Sequence, residues 1–187
     1  LAIKIAERGD FELTRLFIKA GFPVNYRDNK GVSLLHIAAI EGDAAMVKML
    51  VTAGADIDKA VSELGNTPLH AAALSAHPDG NEALSFLLAC GADAGKRNGR
   101  GHTPLHMAFL GRLTRVKSLL MLIEATIDVN IFDNDGFAPL HLLAEKGGGQ
   151  EVAQALVSKG ADVNGRHGKS GETPLHMAAR NDNAWLT

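Results

Sequence analysis

The sequence predicts an all-α array of stacked helix pairs, and three observations carry that prediction. A tetrapeptide recurs as Thr67-Pro68-Leu69-His70, Thr103-Pro104-Leu105-His106 and Thr173-Pro174-Leu175-His176, with looser copies at Ser33-Leu34-Leu35-His36 and Ala138-Pro139-Leu140-His141. Its histidines fall 34, 36, 35 and 35 residues apart, a period that marks one supersecondary unit repeated along the chain. Between the copies, apolar residues such as Val47, Leu50 and Val51 recur at helical spacing.

Each element of a unit follows from its residues. Thr followed by Pro starts a helix, because the hydroxyl accepts from an orphan backbone amide and Pro at the first helical position forfeits no intrahelical bond. Paired alanines at Ala38-Ala39, Ala71-Ala72 and Ala178-Ala179 let neighbouring helices approach closely. Gly42 and its counterparts interrupt this first helix, and a second one ends at Gly54, Gly91 or Gly160, where a left-handed residue is expected. Exit segments such as Asp128-Val129-Asn130 and Asp162-Val163-Asn164 lead onward. An Asp or Asn three residues before Gly31, Gly65, Gly101, Gly136 or Gly171 is then expected to form a tight turn. No unit encloses a core of its own, so stability is expected from neighbours.

These units resemble ankyrin repeats, whose Thr-Pro-Leu-His pattern they share over essentially the whole chain. The resemblance implies an ankyrin-repeat solenoid of stacked antiparallel helix pairs with β-hairpin-like finger loops, the first helices lining a concave face. It also implies structural hydrogen bonds for the repeat histidines, a protein or peptide ligand, and no catalysis. On this reading residues 1–187 are a single domain, made of a partial repeat (1–27), four repeats (28–61, 62–97, 98–132, 133–167) and a truncated one (168–187).

The departures from the pattern are informative. Gly9 lies in register with Gly42, so the first unit lacks its opening turn. Pro78-Asp79-Gly80 reads as a turn inserted between helices. Glu124-Ala125-Thr126-Ile127 replaces the usual Gly-Ala exit, and Phe109 replaces the second alanine of its pair and is expected in the core. Trp185 falls where a second helix should begin, and neither end carries an obvious polar cap, so the sequence reads as a piece of a longer array.

Composition excludes several classes. A net charge of −2 supplies no general attraction to nucleic acid or anionic lipid. The single cysteine, Cys90, excludes an intramolecular disulfide framework and fits a reducing compartment. An intracellular, chiefly cytoplasmic location is expected, or a host cytosol if the chain is a secreted effector. No apolar run approaches the roughly 20 residues that span a bilayer, so no membrane insertion is expected. The domain is expected to be monomeric.

Motifs that imitate chemistry fail in their details. Gly168-Lys169-Ser170 resembles the end of a phosphate-binding loop, but Val163 stands where the leading glycine belongs. Asp133-Asn134-Asp135-Gly136 resembles part of a calcium loop, but Ile131 and Leu142 replace its terminal carboxylates. Five of the eight histidines are the repeat histidine, and no His or Cys pair has close ligand spacing. Cys90 sits beside Leu87 and Leu88 with no identifiable base, as a packed or half-exposed thiol. Neither cofactor nor metal is expected.

Recognition is therefore expected from positions that the repeat does not dictate. Residues after the turn glycine (Val32, His102, Phe137) and after the alanine pair (Ile40, Leu74, Leu110, then Glu145) should face the concavity. Arg100, amid Lys96, Arg97 and Arg112, should add a positive anchor. These residues define a candidate surface for a protein ligand, with an adaptor or scaffold role. The alternative is a regulatory or targeting segment of a larger enzyme, channel or host-directed effector whose activity lies elsewhere.

Overall fold

The computed structural model describes residues 10–61, 64–77, 80–111, 115–147 and 149–181. Gly9, the Pro78-Asp79 turn, Arg112 and Trp185 lie outside the described residues. Among those described, the chain forms ten helices and one isolated antiparallel bridge, Arg27 with Ser33. It divides into two compact units, Leu1–Asp93 and Ala94–Thr187. The first holds α1 (Phe11–Lys19), α2 (Leu34–Glu41), α3 (Ala44–Thr52), α4 (Pro68–Leu74) and α5 (Gly80–Ala89). The second holds α6 (Pro104–Leu110), α7 (Val116–Ala125), α8 (Pro139–Lys146), α9 (Gly149–Ser158) and α10 (Pro174–Arg180).

The recurring tetrapeptide starts four of the first helices through its histidine. Nδ1 accepts the backbone N–H of the cap residue, at 3.2 Å in Ser33/His36, 3.1 Å in Thr67/His70, 3.2 Å in Thr103/His106 and 3.3 Å in Ala138/His141. A backbone N–H can only donate, so Nδ1 is the unprotonated nitrogen and the proton sits on Nε2. That proton is spent on the next layer. Nε2 of His36 donates to Asn66 O, that of His106 to Phe137 O and that of His141 to Gly165 O, at 3.1, 3.1 and 3.0 Å. These three rings thus fasten their own helix starts to a carbonyl of the following repeat, the structural role expected of them.

In the first unit α2 packs on α4 and α3 on α5; in the second α6 packs on α8, α8 on α10 and α7 on α9. Leu34, Leu35, Ala38 and Ala39 of α2 are buried with Met46, Val47 and Leu50 of α3, and Leu69 and Ala72 of α4 with Leu84 and Leu87 of α5. In the second unit Leu105, Phe109, Leu119, Leu122, Leu143, Val152 and Leu156 fill the same roles. Phe109 is fully buried, as its place in the alanine pair foretold. Cys90, read from sequence as a packed or half-exposed thiol, is exposed.

The turns divide into two kinds, which corrects the uniform spacing expected from sequence. At Asp28, Asn98 and Asp133 the side-chain oxygen Oδ1 accepts two backbone N–H groups, those of Lys30 and Val32, Arg100 and His102, and Asp135 and Phe137. The turns ending at Gly65 and Gly171 are one residue longer. There the main chain closes from Val61 N to Asn66 O and from His167 N to Glu172 O, and no Asp or Asn stands three residues before the glycine. In the last turn Nδ1 of His167 takes the N–H of Ser170 instead.

Exit segments clasp one another through side chains. Asn25 donates to Gly54 O and accepts from Asp56 N, and Asn130 treats Gly160 O and Asp162 N in the same way. The exit of α7 departs from its relatives. Thr126 stands where they have a left-handed glycine, and it takes an extended φ of −78°, its Oγ1 donating to Leu122 O at 2.6 Å. Ile127 is consequently 99% exposed, whereas Ala92 and Ala161 at the same position are buried.

Candidate protein-binding site

The first unit carries an apolar groove of about 220 Å³ between α2, α4 and the turn before Gly65. Val32, Ile37, Ile40, Val61, Leu64, Ala71 and Leu74 line it, and its polar neighbours His36 and Asn66 are joined to each other. Ile40 is 44% exposed and Leu64 is also exposed, although each is a large aliphatic side chain. The structure brings together three residues picked out by sequence, Val32, Ile40 and Leu74. It adds Val61 and Leu64, which sequence reasoning missed. Their signal was present as two apolar residues flanking Ser62-Glu63 within a segment otherwise read as a turn.

The second unit treats its five expected residues unequally. Leu110 is 41% exposed at the end of α6. Arg100 is exposed, with no described residue bonded to its guanidinium, and Glu145 is half-buried beside Lys146 at 3.5 Å. Phe137 is half-buried and packs on the buried cluster of Ala144, Met177 and Ala178, its ring 4.2 Å from that of His167. His102 does not present itself to solvent as expected. It is buried, with Nε2 3.3 Å from Oδ2 of Asp133. The reason is that Asp133 heads the adjoining turn and supplies an acceptor that the sequence spacing does not reveal. Arg97, expected in the basic patch, is pinned to Gly101 O and Phe132 O, which leaves Arg100 as the freer cation.

The histidines behave as scaffold. Burial pushes His106 down to about 4 and also lowers His36 and His141, opposed in each case by the carbonyl that the ring holds. Among the described residues no cluster of three or more His, Cys, Asp or Glu is placed to hold a metal ion. No helix there is long and apolar enough to cross a membrane.

Paired helices, left-handed glycine exits and histidine-fastened turns define a helix-pair repeat protein. A family model described as ankyrin repeats, three copies, matches residues 2–84, 76–167 and 122–186, and the chain belongs to the ankyrin-repeat family. Ankyrin repeats are protein-interaction modules, and this chain is one. It is similar to the putative palmitoyltransferase ZDHHC13 of Danio rerio, 34% identical over 94% of this chain and 26% of that protein. It is likewise similar to B-cell lymphoma 3 protein of Homo sapiens, 32% identical over 83% of this chain and 34% of that one. The nuclear factor NF-kappa-B p105 subunit of Gallus gallus is 32% identical over 81% of this chain and 15% of its own length. The chain thus spans between 15% and 34% of the length of these curated relatives.

Proposed function

We propose that the groove of the first unit receives apolar side chains from a partner protein, presented on an extended segment or an amphipathic helix. The observation that supports this most is the exposure of Ile40 and Leu64 around a cleft whose walls are almost wholly aliphatic. Water there meets apolar surface with few groups to bond, so covering it is favourable. The helix start and turn that hold the groove are fastened by a buried and a part-buried hydrogen bond of His36, so the ordering cost of binding falls mainly on the partner. In the second unit Leu110, Arg100, Phe137 and Glu145 are proposed as a further contact region, with Arg100 meeting a carboxylate. His102 supports that region by holding the Asp133 turn.

The chain is proposed to act without catalysis of its own, as an intracellular monomeric module that recognises protein rather than nucleic acid. A second reading is favoured by the longer relatives. The chain is then the recognition or regulatory part of a larger protein, with palmitoyl transfer in another domain as the leading case.

The test starts from a ligand found by screening a peptide library against the chain. Ile40→Asp and Leu74→Asp are each expected to weaken that ligand at least about tenfold, because a charge in an apolar contact must be desolvated. Far-ultraviolet circular dichroism should be unchanged, since Ile40 is exposed and Leu74 half-buried. Undiminished binding by both variants would overturn the groove assignment. Loss confined to Leu110→Asp and Arg100→Glu would move the site to the second unit.

A further inference from the structure

Arg27, Arg97 and Arg166 occupy one register, each directly before the residue whose N–H closes its turn. Two of them are bonded to main-chain carbonyls. Arg97 donates from Nε to Gly101 O at 3.2 Å and from Nη2 to Phe132 O at 2.9 Å, and Arg166 donates from Nη1 to Gly171 O at 3.3 Å. For Arg27 the corresponding carbonyls are those of Gly31, in its own turn, and Ala60, in the following repeat, yet its guanidinium bonds to no described residue. Instead it lines a cleft of about 210 Å³ together with Asn25, Ser33, Asp56 and Lys59. This cleft is separate from the apolar groove. Arg27 and Ser33 face each other in the antiparallel bridge, so their side chains share one face, whereas Val32, the neighbour of the extended Ser33, lines the groove.

The cleft offers donors and acceptors side by side. Both ends of the Asn25 amide are occupied, by Gly54 O and by the N–H of Asp56, which fixes that wall. Nδ1 of His36 accepts the Ser33 N–H and is therefore unprotonated, so Ser33 Oγ gives its proton to the same nitrogen and keeps lone pairs to accept. Asp56 engages Oδ1 with the N–H of Asp58 at 3.3 Å. Lys59, like Arg27, is exposed and holds no described residue through its charged group. Two cations against one carboxylate leave the cleft with an excess of positive charge.

We propose that this cleft is a second recognition site, which takes an acidic side chain from a peptide segment of a partner protein. The carboxylate lies against the Arg27 guanidinium, whose paired N–H donors match its two oxygens, with the Lys59 ammonium as a second counter-charge. A neighbouring main-chain N–H of the same peptide donates to Ser33 Oγ or to the free oxygen of Asp56. That pairing selects a peptide over a bare oxyanion, which brings acceptors only and meets Asp56 as a like charge. It also disfavours a nucleic-acid strand, whose successive phosphates add to the repulsion.

The test follows the isotopically labelled whole chain by NMR during titration with acetyl-Gly-Glu-Glu-Gly-amide, with the corresponding Gln-Gln peptide and with sodium sulfate, at matched ionic strength. The Arg27 Nε–H and the main-chain amides of Ser33 and Asp56 should shift saturably with the acidic peptide. Sulfate should bind about fivefold or more weakly, and the Gln-Gln peptide should leave these signals in place. Arg27→Gln should weaken the acidic peptide about fivefold or more, and Lys59→Gln should weaken it less. Both side chains are exposed, so circular dichroism should be unchanged in these variants. Lys30→Gln removes an exposed cation outside the cleft and should leave the affinity as it was. Undiminished binding by Arg27→Gln, an equal loss in Lys30→Gln, or an equal response to the Gln-Gln peptide would overturn the site. Sulfate binding as tightly as the acidic peptide would overturn its assignment to a peptide.

Discussion

Nε2 of His102 lies 3.3 Å from Oδ2 of Asp133, with both side chains buried, while Oδ1 of the same carboxylate caps the N–H groups of Asp135 and Phe137. One carboxylate therefore closes its own turn and anchors the residue that follows the preceding turn. Asp133→Ala removes both functions and leaves His102 and two amides short of acceptors. Its expected cost is about 3 kcal/mol, measured by urea denaturation. Asp133→Asn retains an Oδ1, as Asn98 shows in its own turn, and should cost less than half as much.

Acid should loosen the structure through the repeat histidines. His106 is lowered from 6.5 to about 4 in the fold, so between those values the unfolded chain binds more protons than the folded one. Its contribution is complete above pH 6.5 and is lost as pH falls toward 4, to a total of at most about 3 kcal/mol. His36 and His141 act in the same direction. Urea midpoints taken at falling pH should decline across this window, and the His106 ring resonance should titrate near its lower end.

Two glycines separate conformational strain from collision. Gly91 has φ +87° and open space around an added Cβ, so Gly91→Ala should cost about 1 kcal/mol. Gly136 has φ +94°, and its added Cβ would lie 2.6 Å from the backbone nitrogen of Gly168. Gly136→Ala must move one turn away from another and should cost at least about 2 kcal/mol, measured in the same denaturation experiment.

The exit of α7 offers a paired contrast. Ile127→Ser removes an apolar side chain that is 99% exposed and should change stability by no more than about 0.5 kcal/mol. Leu122→Ala, five residues earlier and wholly buried, should cost roughly 2–5 kcal/mol. Thermal melts of the two variants measure the difference.

Much of the candidate groove was legible from position within the repeat. Val32, Ile40 and Leu74 follow the turn glycine or the alanine pair, and all three line it. Val61 and Leu64 escaped notice because their turn is one residue longer than its neighbours, which shifts them out of register. His102 occupies the same register as Val32 but is buried, since only its turn is followed by an Asp133 within reach.

The sequence by itself determined the repeat, the helix starts at Ser33, Thr67, Thr103, Ala138 and Thr173, and the left-handed exits at Gly54, Gly91 and Gly160. These depend on residues within one or two helical turns of each other, where φ preference and capping act locally. Tertiary structure alone decided that His106 reaches Phe137 O and that Asp133 captures His102. The histidine and aspartate contacts join residues about thirty positions apart in sequence, and a period cannot specify which side chain meets which carbonyl across that separation.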